Sequence, residues 1–110
     1  MARKPHAYSP QAVETARALG ERIRLGRLER RWTLEEAAER VGVNHTTMRK
    51  VERGDLTVGL GPALEAAALL DVPLLAVGPD GLSLERRETQ ARLAGVPSRA
   101  RRPKAVDVDF

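Results

Sequence analysis

Guanidinium, ammonium, hydroxyl and imidazole groups gathered on one short helix can bond phosphate oxygens and the edges of bases. His45, Thr46, Arg49 and Lys50 lie within six residues of one another, directly after Gly42-Val43-Asn44. If Met48 and Val51 pin this stretch to a core, those four side chains are left facing outward. Arg49 carries a planar fork of donors that matches guanine O6 and N7, so it is the best candidate for a bidentate base contact. Thr33 and Asn44 open two successive helices. There a hydroxyl, an amide and the unpaired backbone N–H groups can position a phosphate.

Other chemistries find little material. The chain has no cysteine, so neither a disulfide nor a thiolate metal site can form. His6 and His45 are the only histidines, and no metal cluster surrounds them. There is no nucleophile–base pattern and no glycine-rich phosphate loop. The expectation is a protein that is not an enzyme and needs no metal or cofactor. Arg53-Gly54-Asp55 spells an adhesion tripeptide, but its place at a helix end accounts for it better.

The elements that must position these residues are helical. The 110 residues are 42% hydrophobic and 31% charged but only 3% aromatic, so a core must come from Leu, Val, Ala and Ile. The net charge is +4 and arginine far outnumbers lysine. This suits a polyanionic partner, although a GC-rich genome also favours arginine. No apolar run is long enough to span a bilayer and the N-terminus lacks an apolar signal region, so a cytoplasmic location is expected.

Ser9-Pro10 starts a helix, with Ser9 as cap and Pro10 at the first helical position. Ala12, Val13, Ala16, Leu19 and Ile23 continue it at helical spacing towards Arg31, with Gly20 and Gly26 as candidate bends. Thr33 with Glu36 three residues on makes a capping box for the next helix. Gly42 ends that helix, Val43 follows as an apolar plug, and Asn44 caps a third helix that Gly54 stops. Residues 55–61 read as a loop, 62–70 as a short Ala/Leu-rich helix, 74–77 as a short apolar segment and 78–81 as a turn. Residues 83–93 read as one more helix, weakly amphipathic.

The run Thr33-Leu34-Glu35-Glu36-Ala37-Ala38-Glu39-Arg40-Val41-Gly42-Val43-Asn44, continued by His45 to Gly54, resembles the helix-turn-helix of the Cro/cI repressor (XRE) family. Ala38, Gly42 and the ending Val51-Glu52-Arg53-Gly54 all fall in register. The resemblance implies an all-α fold: a five-helix lambda-repressor-like helix-turn-helix domain, followed by a C-terminal helix and a flexible tail. It also implies DNA contacts from Thr33, Asn44, His45, Thr46, Arg49 and Lys50, and a buried ion pair between Arg27 and Glu52. One position departs from the pattern. Leu34 stands where the family often has a glutamine that contacts phosphate or orients a base-reading residue. A plain helical hairpin, with Arg27 and Glu52 separately solvated, is the reading without function.

The flanks resemble HipB-type antitoxins, through Tyr8-Ser9-Pro10, Ala18-Leu19-Gly20-Glu21-Arg22-Ile23-Arg24, Gly54-Asp55-Leu56-Thr57-Val58 and Val106-Asp107-Val108-Asp109-Phe110. That resemblance implies a homodimer on a palindromic operator that also binds a HipA-type kinase toxin. The alternatives are a stand-alone phage-like repressor and a protein-interaction module without DNA binding. The expected organisation is a flexible arm at 1–8, the DNA-binding domain at 9–77, a linker and helix at 78–94, and a tail at 95–110. In an extended tail Val106, Val108 and Phe110 share one side, where a partner can cover them. A disordered solubilising tail, or one whose basic run touches DNA, remains open. Leu69, Leu70 and Leu74 are the expected dimer surface.

Overall fold

A computed structural model describes residues 7–75 and 79–97. It contains five helices in the order α1 (Pro10–Glu29), α2 (Leu34–Val41), α3 (His45–Arg53), α4 (Leu60–Leu69) and α5 (Pro79–Ala94). The described residues contain no strand, so the chain is all-α. No helix among them is long and apolar enough to cross a membrane. The chain divides into two compact units, residues 1–74 with α1 to α4 and residues 75–110 with α5.

Local chemistry sets where the first three helices begin. Ser9 Oγ accepts from the Ala12 amide, with Pro10 following it. Thr33 Oγ1 accepts from the Glu36 amide while Glu36 Oε1 accepts from the Thr33 amide. Asn44 Oδ1 accepts from the Thr47 amide at 2.8 Å. Each bond satisfies a donor that the first helical turn leaves without an internal acceptor.

The four helices of the first unit end alike. A residue with positive φ (Arg31, Gly42, Gly54 and Asp71 in turn) lets the next amide reach back five residues. The bonds are Trp32 N–H to Arg27 O, Val43 N–H to Ala38 O, Asp55 N–H to Lys50 O and Val72 N–H to Ala67 O. Gly42 and Gly54 adopt that conformation at no steric cost. Arg31 and Asp71 bear a strain of about 1 kcal/mol each. Arg30, next to Arg31, donates to Gly26 O and pairs with Asp71 at 3.2 Å.

The core is small and aliphatic. Ile23 of α1 and Met48 of α3 are wholly buried, with Ala37, Ala38 and Val41 of α2, Val51 of α3, Ala66 and Ala67 of α4, then Leu70 and Val72. Val43 packs against this cluster in the turn. The many alanines let short helices come close together, as α2 does through Ala37 and Ala38.

Several sequence expectations change. Gly20 and Gly26 do not interrupt α1. They are places where another element leans on it. A Cβ on Gly20 would lie 2.5 Å from Glu52 O, and one on Gly26 3.3 Å from Leu70 Cβ. Leu70 is therefore core, 4% exposed, and is not available to a dimer surface. Leu69 is half-buried against the core, and only Leu74 of the expected three is exposed. α4 starts two residues before Pro62, because the first helical turn has no use for that residue's missing N–H. The expected turn at 78–81 is helical from Pro79 onward.

In the second unit, α5 leaves Leu82, Leu84 and Leu93 exposed. Leu82 and Leu84 fall on opposite sides of the helix, so α5 has no single apolar stripe. Leu74 and Leu75 form a bend, and residues 76–78 lie outside the described residues.

Candidate nucleic-acid interface

α2, the turn at Gly42-Val43-Asn44 and α3 form a helix-turn-helix. α3 is held from behind by α1 at two glycine contacts. Gly20 lies against the backbone of Val51 and Glu52, and a Cβ on Gly54 would meet Ala16 O at 2.7 Å. Two turns beyond Gly20 along α1, Arg27 forms a two-pronged ion pair with Glu52, Nε to Oε2 at 2.6 Å and Nη2 to Oε1 at 3.0 Å. Arg27 Nη1 also donates to Trp32 O at 2.9 Å. The side chains are only 11% and 6% exposed. Such a pair fixes orientation through its geometry, whatever it adds to net stability.

With Met48, Val51 and Glu52 buried, the opposite side of α3 follows from about 100° per residue. By angle, Thr46, Lys50 and Arg53 lie farthest round α3 from those buried residues. His45 and Arg49 lie on the flank beside Glu52, which is the flank facing α1. Thr46, His45, Arg49 and Arg53 are exposed and Lys50 is half-buried. Just past α3, the Thr57 hydroxyl and then the Thr57 amide hold the Asp55 carboxyl below the usual carboxylate range, with smaller help from Lys50 and Arg53. The Arg53-Gly54-Asp55 tripeptide is thus a helix cap followed by a local turn.

Thr33 and Asn44 flank this face, at the starts of α2 and α3. Their oxygens accept cap bonds, which leaves Asn44 Nδ2 as a donor without a partner among the described residues. Leu34 is half-buried, packs against the core, and lines a groove of about 690 Å³ beside α3. Its apolar side chain belongs to the scaffold and offers no phosphate donor. Arg17, Glu21 and Arg24 of α1 line the same groove, with Arg49 and Arg53 across from them.

Sequence reasoning missed Arg17, Arg24 and Arg53 as members of this surface. The signal was present as two arginines seven residues apart on one long helix, which places them on one face two turns apart. It also missed Trp32, whose ring is covered by the Arg40 guanidinium at 4.4 Å and approached by that of Arg30 at 5.7 Å. That stack braces the loop between α1 and α2. Val106, Val108 and Phe110 lie outside the described residues.

Residues 18–77 match the family described as a helix-turn-helix domain. No curated protein and no solved structure matches the chain.

Proposed function

The chain belongs to the helix-turn-helix domain family, and from that membership we propose that it is a sequence-specific repressor of transcription of the Cro/cI type. The observation that carries this reading is α3. It is clamped to α1 by Gly20, Gly54 and the Arg27–Glu52 pair, and it turns Thr46, Lys50 and Arg53 away from the core. A rigid helix with a polar, cationic outer face is what the major groove of DNA admits. Thr46 and Lys50 are the central base-reading candidates, with His45 beside them. Asn44 Nδ2 and the first amides of α3 are the candidates for a flanking phosphate.

The repressor acts as a homodimer on a palindromic operator. Leu60 and Leu64, one turn apart on α4, are exposed together with Leu74 and supply an apolar surface for a second copy. The reading involves no catalysis, metal or cofactor. The location that goes with this reading is the cytoplasm.

Within this reading the protein is the antitoxin of a HipA-type kinase, repressing the operon that encodes both. The support is the resemblance of its flanks to HipB-type antitoxins and the alternation of Val106, Val108 and Phe110 with aspartates. Truncation at Ala105 is expected to leave DNA binding within about twofold, since surface changes away from a site are near neutral. The same truncation should weaken capture of the kinase in calorimetric titration. Loss of DNA binding with capture intact would assign the tail to the DNA or the dimer instead.

The deciding experiment for DNA recognition is selection of duplexes from a random pool by the full chain, followed by footprinting. Enrichment of a palindromic consensus is expected. Binding that stays equal for all sequences would refute sequence-specific recognition.

A further inference from the structure

We infer that Arg49 holds backbone phosphate and does not read a base, and that Arg17 and Arg24 of α1 share the same strand of DNA with it. This rests on the DNA-binding reading above. It reassigns the arginine whose chemistry best suits guanine and adds a helix outside the helix-turn-helix to the interface.

Three observations carry it. First, Arg49 is not on the crest of α3. Thr46, Lys50 and Arg53 oppose the buried Met48, Val51 and Glu52, whereas Arg49 stands on the flank towards α1. A strand bordering the major groove runs along that flank when the crest faces the bases. Second, Arg49 lines a groove of about 690 Å³, with Arg53 beside it and Arg17, Glu21 and Arg24 on the far wall. The two α1 arginines are two helical turns apart, about 10 Å along the axis, so they follow an extended chain of phosphates better than one small anion. Glu21 stands between them, and the surrounding guanidiniums outnumber it. Third, these cations are not already used. Arg17, Arg24 and Arg49 have no hydrogen bond or ion pair among the described residues, while Arg27 and Glu52 satisfy each other. Leu34, in the groove wall, presents no donor. Guanidinium forks from α1 replace the phosphate contact that a polar residue there would make.

The test uses the full chain and a duplex selected by it. Affinity is measured against salt concentration, and base preference by repeated selection, for Arg24→Gln, Arg49→Gln, Arg49→Lys and Lys50→Ala. Arg24→Gln and Arg49→Gln should each weaken binding about tenfold. Each should lower the salt slope by about one and leave the preferred bases unchanged. Arg49→Lys, which keeps the charge, should keep the slope. Lys50→Ala should alter preference at a base pair. If Arg49→Gln changes the preferred base while the slope stays, Arg49 is a base reader and the inference fails alone. An unchanged affinity and slope for Arg24→Gln, and for Arg17→Gln made alongside it, removes α1 from the interface. No duplex binding by the unsubstituted chain overturns the DNA reading itself, and this inference with it.

Discussion

Arg27 and Glu52 are withdrawn from solvent together, and each is tolerable there only because of the other. Removing one partner leaves an ion desolvated and unpaired, a far larger cost than the net worth of the pair. Glu52→Ala is therefore expected to lose about 3–5 kcal/mol in urea unfolding, a large part of a small domain's total. The double change Arg27→Met with Glu52→Leu should be much milder, because two apolar side chains of similar size leave no charge behind. A loss under about 1 kcal/mol for Glu52→Ala would mean that water reaches Arg27 and the pair is effectively at the surface. The pair is also where residue chemistry meets recognition. Glu52 is one turn past Met48 and three residues past Arg49, so its position fixes the rotation of α3 about its own axis. Rotation decides that Thr46 and Lys50 are on the crest and Arg49 on the flank.

At the scale of the elements, the decisive feature is how closely α1 and α3 approach. Gly20 is in mid-helix, where alanine is ordinarily better by up to about 1 kcal/mol. Here the added Cβ would fall 2.5 Å from Glu52 O and 2.7 Å from Val51 O. Both atoms are backbone, so α3 itself must move. Gly20→Ala should lose about 2 kcal/mol net in chemical denaturation, the steric term exceeding the propensity gain. A stabilised variant would show that the two helices do not meet this closely. Glycine at this position was visible in the sequence, but its meaning was not. A mid-helix glycine signals a bend or a neighbour equally well, and only the partner's position decides. The same limit explains other differences. Ser9, Thr33, Asn44, Gly42 and Gly54 were legible because caps are made by residues one to five apart. Arg31 and Asp71 end helices in the left-handed conformation without a glycine, so residue type gives no sign of these two ends. Leu70 looked like a surface leucine at a helix end and is core, because Gly26 leaves room for it. Of the α3 residues expected to face outward, His45, Thr46 and Arg49 are exposed and Lys50 is half-buried. The finer division between crest and flank needed Glu52 to be known as a buried group, and a charged residue gives no such signal through hydrophobic periodicity.

For the whole molecule, the question is whether one unit of residues 1–74 can bind DNA specifically by itself. A single recognition helix with its flanking contacts covers about 600–1,000 Å² of protein surface, the range of one small module. Symmetry is the simplest way to double that area, and two copies related by a two-fold axis read a palindrome. α4 offers the means. Leu60 is 72% exposed and Leu64 42% exposed, side by side on one face, while Ala66 and Ala67 of the same helix are buried in the core. Leucines facing water in this way raise the cost of the monomer and lower it on association. The expected outcome is a dimer in sedimentation equilibrium at micromolar concentration, with footprints on two half-sites about 34 Å, or one helical turn, apart or a multiple of it. Leu60→Glu with Leu64→Glu should give a folded monomer, since neither residue contributes to the core. That monomer should occupy a half-site far more weakly and without cooperativity, while its base preference within the half-site is retained. Retained dimerisation in this variant would place the interface elsewhere, with Leu74 or the second unit as the next surfaces to test. A monomer of the unsubstituted chain that protects one isolated half-site would overturn the symmetric reading altogether.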